Sequence, residues 1–195
     1  VSQIKLSREL FMGLCVFDSN ALNLGAHISN SMSQMGSNVT MNQLRSLTTS
    51  WQAKLYFLWR LPTAWWWGIR VEQLEAHQAI VSLPFNWYTK NPFRSIYFAA
   101  LVGAGEFATG ILALQALCGQ PSVSMLVLHQ EAEFVKKATE RVYFHCQQGE
   151  QVRQVISDVV QSSAPKTIRM KAEATDGSGQ VVARVYITWS FKRKR

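Results

Sequence analysis

Alternation of apolar and polar positions is clearest near the C-terminus. Ile168, Met170, Ala172 and Ala174 alternate with Arg169, Lys171, Glu173 and Thr175. A period of two sends the two sets to opposite faces of a strand. Asp176, Gly177, Ser178 and Gly179 supply turn chemistry, and Val181, Ala183, Val185, Ile187 and Trp189 then line one face of a return strand. This pattern predicts a hairpin. Just upstream the period changes. Val152, Val155, Ile156, Val159 and Val160 recur at helical spacing and predict a short amphipathic helix. Residues 122–129, 131–138 and 141–146 read as extended segments.

The stretch 95–117 has no polar face. Glu106 is its only acid, and it contains no Lys or Arg. A helix apolar on nearly every side must be buried all round. Ser95 is the expected N-cap, after a turn at Asn91–Pro92–Phe93–Arg94, and Gly119 and Pro121 are the expected stop. Gly103, Gly105 and Gly110 each cost such a helix about 1 kcal/mol relative to Ala. Their expected use is close approach of another backbone. The order is strand, long buried helix, then several strands ending in a hairpin. One antiparallel sheet wrapped around one central helix satisfies it, an α+β fold.

Toward the N-terminus, Leu44, Leu47, Trp51, Leu55 and Leu58 predict an N-terminal helix over 43–61, ended by Pro62. Three consecutive Trp at 65–67 follow, then a strand-like run over 69–85. Residues 1–40 mix Ser, Asn, Gly and Met with little period and are expected to be a poorly ordered extension. The folded domain is expected over 41–195, with Met41 a suitable start.

Composition narrows the function. The net charge is +8. Residues 41–70 carry four basic residues and no acid, the last four residues are all basic, and the stretch between is neutral. A nucleic-acid binder would carry a basic stripe across its folded surface, so nucleic acid is not an expected partner. The basic, Trp-rich segment ahead of the first strand leaves peripheral membrane contact open. Cys15, Cys118 and Cys146 are scattered, with no metal-site spacing and no disulfide framework. No metal and no cofactor is expected. The cysteine usage and the lack of a secretory signal pattern lead to a cytoplasmic expectation.

Residues 91–110 resemble the hotdog thioesterase superfamily, and within it an uncharacterised branch of short bacterial thioesterase-like proteins. The pattern there is an amide residue, a short turn, an aromatic or His followed by Gly-Gly, and an acid within the helix. Asn91 lies seven residues before Phe98, and Glu106 eight after it, as in that pattern. Tyr97–Phe98–Ala99 departs from it, because Phe98 and Ala99 stand where the superfamily has Gly-Gly. The resemblance, over 43–192, implies a hotdog fold and hydrolysis of an acyl-CoA or acyl-carrier thioester. It implies Glu106 as base or nucleophile, Asn91 as an orienting amide and the Phe98 N–H as oxyanion donor. Tyr97, Ala99, Ser95 and Gly110 would line the substrate site.

Each assignment has a plainer alternative. Glu106 could be a structural buried acid with a neighbouring donor. Asn91 before Pro92 is common turn chemistry. The Phe-Ala helix opening also suits a non-catalytic acyl- or CoA-binding module. The roles that the resemblance implies carry a geometric expectation. Eight helical residues span roughly 12 Å, so one carbonyl cannot reach both Phe98 and Glu106 of the same chain. A homodimer, or a dimer of dimers, with antiparallel central helices would bring them together.

Overall fold

The computed structural model describes residues 61–162 and 164–194. The extension expected over 1–40 and, apart from Leu61, the helix expected over 43–61 lie outside them.

The described chain opens with a short helix, α1 (Pro62–Trp67). Pro62 starts this helix, whereas the sequence reading had it end one. Its fixed φ suits the first helical turn, where no N–H is needed. Gly68 closes α1 in the left-handed region at φ 74°. Two antiparallel strands follow, β1 (Arg70–Leu74) and β2 (Ala79–Leu83), with Val71 opposite Val81. The long helix α2 (Phe98–Ala116) comes next, then β3 (Val123–Phe134), β4 (Val142–Cys146), helix α3 (Gly149–Ser162), β5 (Lys166–Thr175) and β6 (Val181–Arg193).

The strands form one antiparallel sheet in the order β1-β2-β4-β5-β6-β3. Its inner face presents Val81, Leu83, Phe144, Met170, Ala172, Val185, Ile187 and Phe191, all buried. Against them α2 packs Ala100, Ala104, Ala108, Leu112 and Ala113. By length and composition α2 could cross a membrane. Here the sheet wraps it, which is what its all-round apolar character requires. Two of its glycines permit close approach. A Cβ on Gly105 would lie 2.6 Å from the Cβ of Val185 on β6, and one on Gly103 2.6 Å from the Trp67 ring. The amphipathic α3 covers the layer with Val152, Ile156 and Val159.

Two features leave the sheet incompletely paired. The first is that β3 is an edge strand, and it leaves Leu126 and Leu128 exposed. The second is that β4 is only five residues long, so it pairs with β5 only through Tyr143–Thr175, Phe144–Ala174 and His145–Glu173. Beyond that point the Gln148 side chain stands in for a strand. Its Oε1 accepts from the Lys171 N–H at 2.5 Å, and its Nε2 donates to the Arg169 carbonyl at 3.3 Å.

Candidate functional site

Residues 84–97 carry the chain from β2 to the start of α2, and side chains and backbone tie this loop down closely. Asn86 Oδ1 accepts from the N–H groups of Tyr88 and Thr89 at 2.8 and 3.1 Å, and the buried Thr89 hydroxyl donates to the Pro84 carbonyl at 2.7 Å. Asn91 does the same for the second half. Its Oδ1 accepts from the N–H groups of Phe93 and Ser95 at 3.0 and 3.1 Å, while its Nδ2 reaches Ser95 Oγ and the Ile96 carbonyl. All the hydrogen-bonding capacity of this amide is therefore spent on shaping the loop. Arg94 completes the turn at φ 59°, a conformation non-glycine residues seldom adopt.

The expected N-cap, Ser95, does not cap α2. Ile96 donates to the Ala138 carbonyl at 2.8 Å and Tyr97 to the Thr89 carbonyl at 2.6 Å, which holds both residues extended. Helical geometry therefore starts at Phe98, with Tyr97 as N-cap and no side-chain cap bond. The N–H groups of Phe98 and Ala99 are left without a partner among the described residues. These unpaired donors sit at the positive end of a 19-residue helix.

A cavity of about 510 Å³ opens at this helix start. Asn91, Ser95, Tyr97 and Phe98 line it, so four of the seven expected site residues meet there. Its walls are mostly apolar: Ile96, Leu101, Phe134 and Val135 contribute, with Phe98 edge-on to both Tyr97 (4.9 Å) and Phe134 (6.3 Å). Lys136 and Lys137, just past the end of β3, supply positive charge that the sequence reading did not single out. Asp176 holds Lys136 at 2.9 Å, whereas Lys137 forms no ion pair among the described residues.

Glu106, Ala99 and Gly110 are not among the lining residues. Glu106 is half-buried further along α2. Its carboxyl makes no hydrogen bond or ion pair among the described residues, and burial pushes its pKa above the usual carboxylate value. At Gly110 a Cβ would crowd the Trp189 ring at 3.3 Å and meet Glu106 Oε1 at an ordinary contact distance of 3.6 Å. The helix beneath is pinned to the sheet, because Trp189 Nε1 donates to Thr109 Oγ1 at 3.0 Å and that hydroxyl donates to the Glu106 carbonyl at 2.9 Å. Within one chain, Glu106 therefore lies apart from the cavity that Asn91, Ser95, Tyr97 and Phe98 line. Among the described residues, no cluster of His, Cys, Asp or Glu could hold a metal.

A family model described as a domain of unknown function (DUF4442) matches residues 49–191. The chain belongs to the DUF4442 family. No curated protein matches it. Among solved structures, this DUF4442 chain is similar to a Pseudomonas aeruginosa protein of unknown function described as a probable thioesterase. The two share 20% identity at a TM-score of 0.59, over 78% of this chain and 95% of that one. A Chlorobaculum tepidum protein with unknown function gives 13% identity and a TM-score of 0.63, over 78% and 96%. A Haemophilus influenzae thioesterase gives 12% and 0.55, over 71% and 88%. The DUF4442 chain has the hotdog fold of these thioesterase-like neighbours.

Proposed function

We propose that this DUF4442 protein hydrolyses an acyl-CoA or acyl-carrier thioester at a site that two chains share. The observation that carries this reading is the Glu106 carboxyl, half-buried on an apolar helix, raised in pKa and without a partner among the described residues. A carboxyl in that state is suited to take a proton from water near neutral pH. The free N–H groups of Phe98 and Ala99, beside an apolar cavity, are suited to hold a thioester oxygen as it gains charge.

Glu106 removes a proton from water, and the water oxygen bonds to the carbonyl carbon. The carbonyl π pair moves to oxygen, where the Phe98 N–H of the other chain receives it. On collapse the C–S bond breaks, and the thiolate leaves and takes the proton from Glu106. Asn91 acts as a positioning residue, because its amide fixes the loop that aims these N–H groups. Lys137 stands at the cavity wall, where it would attract a phosphate of the thiol carrier.

The edge strand β3 supports the shared site. Its unpaired backbone edge and exposed Leu126 and Leu128 suit antiparallel addition of a second copy, which would run the two α2 helices side by side. The test is release of free thiol from acyl-CoAs of graded chain length, by wild type and by Glu106→Ala. Turnover should fall about 100- to 10,000-fold in the variant with folding intact. Equal turnover would end the assignment.

A second reading, an acyl- or CoA-binding hotdog protein without turnover, is favoured by Phe98 itself. Phe98 is 56% exposed at the helix start, and its ring packs against Tyr97 and Phe134, at the mouth where substrate would pass. Saturable acyl-CoA binding with no thiol release by the wild type would select it.

A further inference from the structure

A second surface is built from α1 and the first half of the loop after β2. The two pieces are joined, since Asn86 Nδ2 donates to the Trp67 carbonyl at 3.3 Å and Gly68 packs against Pro84. Together they expose six large apolar side chains: Leu61, Trp65 and Trp66 from the α1 side, and Phe85, Trp87 and Tyr88 from the loop. Trp87 is 75% exposed and Tyr88 65%. The core under them is already complete, because Trp67 seals Gly103 and Thr89 is buried. These rings therefore project outward without serving the interior.

Charge identifies what they face. Residues 61–71 and 76–105 contain no acid, while Arg70, Lys90 and Arg94 are all exposed and form no ion pair among the described residues. The nearest acid in sequence, Glu72, accepts a hydrogen bond from the Ser82 hydroxyl at 2.5 Å. The Lys90 ammonium lies 3.5 Å over the Trp87 ring, so a cation and an amphipathic ring form one unit. Trp and Tyr rings favour the headgroup level of a bilayer, and Lys and Arg beside them attract anionic headgroups. A protein partner whose apolar face carries no acids would satisfy the rings but not the one-sided charge.

We propose that α1 and residues 84–90 form a docking surface for an anionic lipid bilayer. The protein would lie on the membrane by α1 and residues 84–90, with the rings at headgroup depth and Arg70, Lys90 and Arg94 among the phosphates. This inference does not depend on hydrolysis.

Co-sedimentation of the full chain with vesicles tests it, using phosphatidylcholine alone and phosphatidylcholine containing phosphatidylglycerol. Binding should require the anionic lipid and weaken with added salt. Trp66→Ser with Trp87→Ser should abolish it. Lys90→Gln should weaken it roughly fivefold, the equivalent of about 1 kcal/mol per charge near an anionic surface. Tryptophan quenching by brominated lipid should drop in the Trp87→Ser variant, and melting temperature controls for folding. Binding that ignores lipid charge, survives both Trp substitutions or is absent in the wild type would overturn the proposal. So would loss of a dimer in the Trp variants by sedimentation velocity, since the surface would then be a contact between subunits.

Discussion

Glu106 links stability to pH in a direction opposite to most carboxylates. Burial raises its folded pKa, so between the unfolded and folded values the native state binds more protons. Stability falls as pH rises through that window. Glu106→Gln should therefore raise the melting temperature at pH 7, and the gain should disappear below pH ~4, where both forms are neutral. The same variant should lose thiol release. Calorimetry across pH paired with the thiol assay separates this from a structural role, in which removing the acid would cost stability. Gly105 makes a different demand. With a Cβ placed 2.6 Å from that of Val185, Gly105→Ala should destabilise by about 1–3 kcal/mol, read as a lower urea midpoint. At this scale the sequence disclosed Glu106, because an isolated acid in an apolar run stands out. It disclosed less about Asn91, whose donors and acceptor turn inward on the loop. Gly110, expected to line the substrate site, is not among the residues that line the cavity.

Among the elements, the β5–β6 hairpin was the most legible. Its residues alternate strictly, and the turn carries its own chemistry. Asp176 Oδ1 accepts from the Ser178 hydroxyl at 2.6 Å, and Oδ2 from Lys136 at 2.9 Å, which together hold its pKa below the usual carboxylate range. A depressed carboxylate contributes stability above its unfolded pKa and loses it as pH falls through the folded one. Asp176→Asn should therefore melt lower than wild type at neutral pH, with the gap narrowing below pH ~4. Other elements were read less well, for identifiable reasons. The run 69–85 is two strands, but its turn at Glu75–Gln78 contains no Gly or Pro to mark it. Residues 123–134 form one strand where two were expected, because an irregularity between Val127 and His129 breaks the alternation without ending the pairing with β6. The start of α2 slipped from Ser95 to Phe98. Distant backbone partners, the carbonyls of Thr89 and Ala138, hold Ile96 and Tyr97 extended, and local sequence does not encode such partners.

For the molecule as a whole, the proposed shared site would make assembly part of the chemistry, because Glu106 and the helix start lie apart within one chain. If two copies meet along β3, Leu126→Lys should place a charge in that seam, shift sedimentation toward a monomer and remove turnover together. A wild type that sediments as a monomer, yet turns over, would break the link between the shared site and the reaction. The six-stranded sheet around one helix could be anticipated from element order alone. The cavity at its end could not, because Phe134, Lys136 and Lys137 reach it from far along the chain.

The shortness of β4 also bears on how the domain opens. Along the first half of β5 a glutamine side chain does the work of a neighbouring strand, and a side chain can swing away where a backbone ladder cannot. Deuterium should enter there early: the Lys171 amide should exchange well before that of Glu173, which sits where β4 still runs alongside. In Gln148→Ala that difference should widen. The sheet would thus carry a built-in zip pull on one flank, at which unravelling begins while the strands around the central helix stay closed.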